Sequence, residues 1–363
     1  MIKEEYKDII AFHPGYYLLD IIDELEMTQE EFAIRLGVSG KTVSQLLNGN
    51  TPLSNSLAMK ISNMLGISVN TLLNLQKKYD EKLIEIDNIK KLDEQLEVVA
   101  MIDYSYFVKN NLLDRVSNKY DKVRKLCACL KVSDLNILRR RDLVASFRTS
   151  VSTVTDKNIV NANVWLQIAF NQGLAMNVNT YDEKKLKSYI HEIRSMTIQE
   201  PEIFLPRLQE IFNECGVAFV LLPALKNSGV NGVVKWYDEK VVLAINDHHK
   251  FADTFWFSLF HEIGHVFQKK KTKVIVNCEK IFPVCGNDVE EDANDYARNT
   301  LIPIKEYHEF LDENGKYISK MAVEKFSKKI GVHSGITVGR LQHDGKISYS
   351  ALNDMREKYQ IKI

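Results

Sequence analysis

Apolar residues recur at helical spacing through most of this chain and change to strand-like runs in one region only. Between residues 13 and 76 the three-to-four period is carried first by Leu18, Leu19, Ile22 and Leu25. It passes to Phe32, Ala33 and Leu36, and then to Leu57, Ile61 and Leu65. The breaks between these runs carry turn and cap chemistry. His13-Pro14-Gly15 reads as a turn, and Thr28-Gln29-Glu30-Glu31 predicts a capping box. Gly37 and Gly66 predict helix ends at positive φ. Ser39 caps a second short helix over 40–47, and Asn48-Gly49-Asn50 is a turn. Tyr79, Leu83, Ile86, Ile89, Leu92, Leu96 and Val99 then predict one amphipathic helix, either a rigid connector or a dimerisation helix.

Helical spacing continues over 105–195, with Trp165, Ile168 and Ala169 on a buried face and a loop at 147–152. Near residue 200 the character changes. Ile203, Leu208, Ile211 and Phe212 form a helix stopped near Gly216, and three β-rich runs follow at 217–222, 232–236 and 240–245. Tyr237-Asp238-Glu239 joins the last two as a hairpin. An apolar helix follows over 254–267 and a further helix over 288–302, the second with Asp288 as its cap and Pro303 beyond its end. The expected fold class is α+β and mostly helical. An all-α domain is expected over 1–78, a helical connector or dimerisation region over 79–195, a core with a small three-stranded sheet over 196–315 and a helical extension over 316–363.

Composition adds limits. The 363 residues hold 48 Lys/Arg and 48 Asp/Glu, so no global field draws the chain to nucleic acid or membrane. A charged start and the lack of an apolar run of about 18 residues predict a cytoplasmic protein with no membrane partner. Five cysteines at irregular spacing predict reduced thiols rather than a disulfide framework. Cys278 and Cys285 lie where a ligand role is conceivable. Arg139-Arg140-Arg141 reads as a solvated basic face.

Two short helices joined at a glycine turn form a helix-turn-helix, whose second helix usually enters the major groove. The exposed positions there are Gly40, Lys41, Thr42, Ser44, Gln45 and Asn48. Gln29 opens the preceding helix, where backbone N–H groups can meet a phosphate. Residues 1–80 carry seven Lys/Arg against ten Asp/Glu, a net of −3, so one copy lacks the phosphate attraction that dominates DNA affinity. A dimer is therefore expected. The His13-Pro14-Gly15 turn, the run from Thr28 to Ser39, Val43-Ser44-x-Leu46-Leu47-Asn48-Gly49 and Asn74-Leu75-Gln76-x-x-Tyr79-Asp80 resemble the HigA-type antitoxins of the Cro/C1 helix-turn-helix family. That resemblance implies a homodimer bound to operator DNA and repressing its own promoter. It carries over Lys41, Thr42, Ser44 and Gln45 as recognition-helix contacts and Gln29 as a phosphate contact.

The second motif is His261-Glu262-Ile263-Gly264-His265, inside the apolar helix over 254–267. Positions i and i+4 of a helix lie one above the other. His261 and His265 can therefore face one metal ion, with Glu262 one step round as general base. A catalytic zinc takes three protein ligands and leaves one position for water. Glu290 falls on the inward face of the helix over 288–302, one turn before the small Ala293, and is the expected third ligand. The run from Phe255 to His265, followed by Glu290-x-x-Ala293-Asn294-x-Tyr296-Ala297-x-x-x-Leu301-Ile302-Pro303, is similar to the ImmA/IrrE metallopeptidases. The similarity spans roughly 160–355 and takes in the Gly335-to-Gly345 segment. It implies a zincin-like domain, Zn²⁺ (or Mn²⁺) held by His261, His265 and Glu290, Glu262 as base, and a transcriptional repressor as substrate. His333 and His343 are candidate oxyanion donors, and an exposed sheet edge beside the metal is a candidate seat for peptide.

Three functions compete on these residues, one of them a peptidase whose helix-turn-helix only docks on a partner repressor. Another is a DNA-binding regulator fused to a zinc endopeptidase of a toxin–antitoxin, mobile-element or stress-response locus, cutting a repressor or toxin encoded nearby. The third is a HigA-like antitoxin whose peptidase-like half binds a toxin or senses a signal without proteolysis.

Overall fold

The computed structural model describes residues 2–141, 155–246, 251–268, 275–278, 287–315 and 317–359. The loop expected at 147–152 and Cys285 lie outside the described residues. The chain forms two compact units, Met1–Leu96 and Glu97–Ile363.

The first unit opens with β1 (Lys3–Tyr6) and β2 (Ile9–Phe12), an antiparallel hairpin. This corrects the all-α expectation. The strands are four residues long, and the left-handed turn position is Lys7 (φ 54°) rather than a glycine, so the usual hairpin signal is missing. Helices α1 (Pro14–Glu24), α2 (Gln29–Leu36), α3 (Gly40–Leu47), α4 (Asn55–Leu65) and α5 (Val69–Met101) follow. Thr28 accepts the Glu31 N–H at 3.1 Å, and Ser39 accepts the Thr42 N–H at 3.1 Å. The expected capping box is only half made in this way, because the Glu31 carboxylate turns to Arg35 one helical turn on. Gly37 and Gly66 both end helices at positive φ, as expected.

Leu18, Ile22, Phe32, Val43, Leu46 and Ile61 form the core of this unit. A Cβ on Gly15 would lie 2.3 Å from the Leu46 carbonyl oxygen, so α1 crosses α3 at backbone contact. Two buried polar side chains lock the ends together. Gln76 accepts the Leu53 N–H at 2.8 Å and donates to Asp80 at 2.8 Å. The His13 Nδ1 accepts the Gly15 N–H at 3.0 Å, and its ring packs edge-on against Tyr79.

The second unit continues with α6 (Tyr104–Lys109), α7 (Lys119–Leu130), α8 (Asp156–Ala175), α9 (Glu183–Ser195) and α10 (Pro201–Glu214). Strands β3 (Val217–Leu222), β4 (Val230–Tyr237) and β5 (Lys240–Asn246) come next, then α11 (Ala252–Phe267) and β6 (Ile275–Cys278). The described chain ends with α12 (Asn287–Leu301), α13 (Ile304–Asn314), α14 (Lys320–Ile330) and α15 (Ser334–His343). β4 and β5 pair as the expected hairpin, and β3 runs parallel to β5. The order is β3-β5-β4-β6, so the three expected strands gain a fourth. β6 takes the outer edge of β4, so that edge is not open to an added peptide strand. Four residues give too little alternation to announce β6 in sequence.

α8 packs on one face of this sheet, while α10 and α11 pack on the other. Both faces are covered, which explains the unbroken apolar run in β3. α12 starts at Asn287, so Asp288 lies inside its first turn rather than at its cap. Arg194 on α9 donates to the carbonyls of Thr300, Leu301 and Ile330 and ties the ends of α12 and α14 together. Among the described residues no helix is long and apolar enough to cross a membrane.

Burial lowers the pKa of His13, only partly opposed by the Thr51 backbone and Asp80. The folded unit therefore binds this proton less readily than the unfolded chain. The stabilisation is complete above the ordinary histidine pKa and is lost as pH falls below it. We expect the thermal midpoint of the first unit to drop between pH 7.5 and 5.5. His13→Asn, which keeps a capping acceptor but does not titrate, should show a smaller drop by circular dichroism; an equal drop would refute the assignment.

Candidate metal centre and nucleic-acid interface

α11 and α12 run antiparallel and close together. A Cβ on Gly264 would sit 3.2 Å from the Ala293 Cα, so two small residues set the approach. Three levels of α11 then meet three of α12. Gln268 faces Val289, His265 faces Glu290, and His261 faces Asn294. His261, Glu262 and His265 are all buried on a helix whose other buried residues are apolar except for Asp253 in its first turn.

The Nε2 atoms of His261 and His265 stand 2.9 Å apart. The Glu290 oxygens lie 3.3 Å from the first and 3.5 Å from the second. Each ring is held from behind. The Nδ1 of His265 lies 2.9 Å from Oε1 of Gln268, and the Nδ1 of His261 lies 3.0 Å from Oδ1 of Asn294. The Gln268 amide has one sensible orientation, because its Nε2 donates to the Val289 carbonyl at 2.8 Å. Its oxygen must then accept from His265 Nδ1–H. With Asn294 acting in the same way, both Nε2 atoms are left as lone pairs facing each other. Only a shared proton or a cation makes that arrangement favourable.

The donor set fits a metal. Zinc–ligand distances of about 2.0–2.1 Å at tetrahedral angles put neighbouring donor atoms about 3.3 Å apart, which the three separations here bracket. Two neutral imidazoles and a carboxylate are also an accepted ligand type for a zinc with one open position. Electrostatics already favour positive charge at this point. Burial pushes the Glu290 pKa up, but the two histidines outweigh it and hold the carboxyl well below the usual range. Burial likewise pushes His265 down, yet Glu290 and the charge of Glu262 leave its pKa raised.

Glu262 is fully enclosed, and the sheet makes room for it. A Cβ on Gly232 of β4 would lie 2.3 Å from its Oε1. Nothing local in the chain links that glycine to Glu262, and the role of Gln268 is equally hidden in sequence. Its signal was a lone amide three residues after His265. Two other histidines are placed elsewhere. His333 caps α15, accepting the Gly335 N–H at 3.1 Å, and pairs with Glu357 at 3.2 Å. His343 is exposed beside Asp344. Cys127, Cys129 and Cys215 form no disulfide.

In the first unit the recognition helix is α3. Gln29, Lys41 and Asn48 are exposed, while Thr42, Ser44 and Gln45 are half-buried. The Thr42 hydroxyl lies 2.8 Å from that of Ser39, and Asn48 donates to Ser44 at 3.2 Å, so these groups are partly engaged within the helix. A Cβ on Gly40 would meet nothing within 4 Å, which leaves the start of α3 open to close approach. Lys60 of α4 donates to the Gly37 carbonyl at 2.9 Å and fixes the turn between α2 and α3.

The role of Gly232 is testable. Gly232→Val forces a side chain against the Glu262 carboxylate and should destabilise the second unit by about 1–3 kcal/mol. Equilibrium urea unfolding reads this, and an unchanged midpoint would remove the contact from the account.

Comparison with known proteins bears on the first unit. The helix-turn-helix family model HTH_3 matches residues 18–72. The uncharacterized HTH-type transcriptional regulator YddM of Escherichia coli (strain K12) is 31% identical over 83 residues, which is 22% of this chain and 88% of that protein. A solved structure from Nostoc punctiforme PCC 73102, described as an antidote protein of a plasmid maintenance system, is 30% identical. That match covers 23% of this chain and 92% of that one, with a TM-score of 0.23. On the strength of this N-terminal match, the chain belongs to the helix-turn-helix family of transcriptional regulators.

Proposed function

We propose that this chain is a DNA-binding transcriptional regulator whose second unit is a zinc-dependent endopeptidase. Its substrate is a regulatory protein, a repressor or toxin encoded nearby, in a toxin–antitoxin, mobile-element or stress-response locus. The observation that carries the peptidase reading is the pair of histidine Nε2 atoms 2.9 Å apart, faced by Glu290. The residues that would hold Zn²⁺, or Mn²⁺, are His261, His265 and Glu290. When bound, the cation supplies Lewis acidity toward a scissile carbonyl and makes a neighbouring water more acidic.

The chain's own residues supply the rest. Glu262 takes the proton of the attacking water and carries it to the departing amine. Gln268 and Asn294 hold the imidazole tautomers, and the Gly264–Ala293 contact holds Glu290 in reach. A peptide that extends the sheet on this side pairs with β6, not with β4.

Purified protein should carry one equivalent of metal. Glu262→Gln should keep that metal while losing cleavage of neighbouring gene products by at least a hundredfold. If wild-type protein holds no stoichiometric metal and shows no Glu262-dependent cleavage, the peptidase reading is wrong.

The regulator reading places Lys41 and Gln45 at base edges and Gln29 at a phosphate, with Thr42, Ser44 and Asn48 flanking them. The net −3 of residues 1–80 requires a homodimer to gather enough contacts. In a gel shift on the chain's own promoter, the double variant Lys41→Ala with Gln45→Ala should weaken binding about tenfold or more. Rising salt should weaken the wild-type complex. A shift that neither change affects would refute the interface.

The alternative, a regulator whose second unit binds a toxin or senses a signal without cutting, is favoured by one observation. β6 already occupies the β4 edge next to the centre. The Glu262→Gln comparison separates the two readings.

A further inference from the structure

A cavity of about 400 Å³ opens in the second unit at the end of the sheet where β3 and β5 finish and β4 begins. That volume falls in the range of small-molecule sites, roughly 300–1,000 Å³. None of His261, His265 and Glu290 lines it. Its floor is the loop over 223–229, and that loop is tied down from outside. Tyr106 of α6 and Trp165 of α8 both donate to the Pro223 carbonyl, at 2.7 and 3.1 Å. Asn158 of α8 donates to the Asn227 carbonyl at 3.1 Å. Asn227 (φ 67°) and Gly229 (φ 62°) take left-handed backbone, which glycine and asparagine adopt most readily. Ser228 lies between them and is only 2% exposed.

The polar side chains around this cavity are unspent. The Ser228 hydroxyl accepts the Val230 N–H at 3.5 Å, while its own proton meets no acceptor among the described residues. Among the same residues, the half-buried Asn227 and Asn231 amides form no hydrogen bond and the exposed Lys226 ammonium forms no ion pair. All four line the cavity, and no described Asp or Glu lines it with them. An ammonium can only donate, each asparagine amide carries two further N–H donors, and the serine proton is free to be given. Four donor side chains with one positive charge suit an anion that offers several acceptor oxygens, because hydrogen bonds to an ionised acceptor are the strong ones. A cationic ligand would find no counter-charge here. A carboxylate offers two oxygens and a phosphate three or more. A bare phosphate would leave Leu225, Val230 and much of the volume uncovered, so the ligand carries an organic group as well.

We propose that this cavity binds a phosphate monoester of a small organic molecule, a nucleotide or a sugar phosphate, with the phosphate held by Lys226, Ser228 and the Asn227 and Asn231 amides. The site is separate from the candidate metal centre and does not rest on the peptidase reading. Asn231 adjoins Gly232, the residue that makes room for Glu262, so the occupant sits one residue along β4 from that contact.

The test is isothermal titration calorimetry on the full chain in a phosphate-free buffer. The probes are AMP and glucose 6-phosphate, each set against its unphosphorylated counterpart, adenosine or glucose, and inorganic phosphate alone. At least one ester should bind about tenfold or more tightly than both its counterpart and inorganic phosphate, and which one does so identifies the organic group. Lys226→Glu, at an exposed position, should weaken that binding about tenfold or more while leaving the circular-dichroism spectrum unchanged. Ser228→Ala should weaken it about fivefold through the loss of one donor. The proposal is overturned if neither ester binds, if inorganic phosphate binds as tightly as the better ester, or if Lys226→Glu leaves the affinity unchanged, since the phosphate then sits elsewhere on the chain.

Discussion

The second unit depends on one close approach, that of α11 to α12 at Gly264 and Ala293. An antiparallel helix pair with ordinary side chains at the crossing keeps its axes 8–10 Å apart. Two small residues let the backbones come nearer, and only then does a short glutamate on one helix reach imidazoles on the other. The same contact aligns Gln268 with Val289 and His261 with Asn294, so the crossing sets both the candidate ligands and the groups beside them. The apolar residues around α11 hold this geometry, because a cluster of ionisable groups is tolerated in a core only when each is held by a partner.

The two units solve different electrostatic problems. In the first, an acidic domain must approach a polyanion, and its recognition helix leaves its start bare at Gly40. In the second, positive charge is favoured at one enclosed point by the carboxylates of Glu290 and Glu262. Neither arrangement shows in the overall charge, which is zero. What matters is where the charges are buried and what faces them.

Much of this was legible in the chain itself, for physical reasons that can be named. Thr28, Ser39, Gly37 and Gly66 act within a turn or two, so local chemistry announces them. The spacing of His261 and His265 is fixed by helix geometry, and the inward position of Glu290 follows from its phase relative to Ala293. What escaped notice depends on neighbours distant in sequence. Lys7 turns the hairpin without a glycine, because tertiary packing holds it there. β6 is defined by its pairing with β4 and not by its own pattern. Gly232 makes sense only once Glu262 is seen against it, and the Gln268 amide only once Val289 is opposite.

The start of α11 has no side-chain cap. Its Ala252 N–H donates instead to the Glu357 carbonyl at 2.9 Å, and Phe251 bridges to Lys358. Trp256 donates to the Tyr359 hydroxyl at 2.8 Å, and Arg356 holds Asp253. The helix bearing the two histidines is therefore finished by residues about a hundred positions later. On the ribosome, α11 emerges well before these partners are made, while domains begin folding as they appear. Its first turn stays unsecured until synthesis reaches residues 356–359. A nascent chain that already carries the whole helix-turn-helix thus still lacks a secured α11, so the two motifs of this chain are completed at different times.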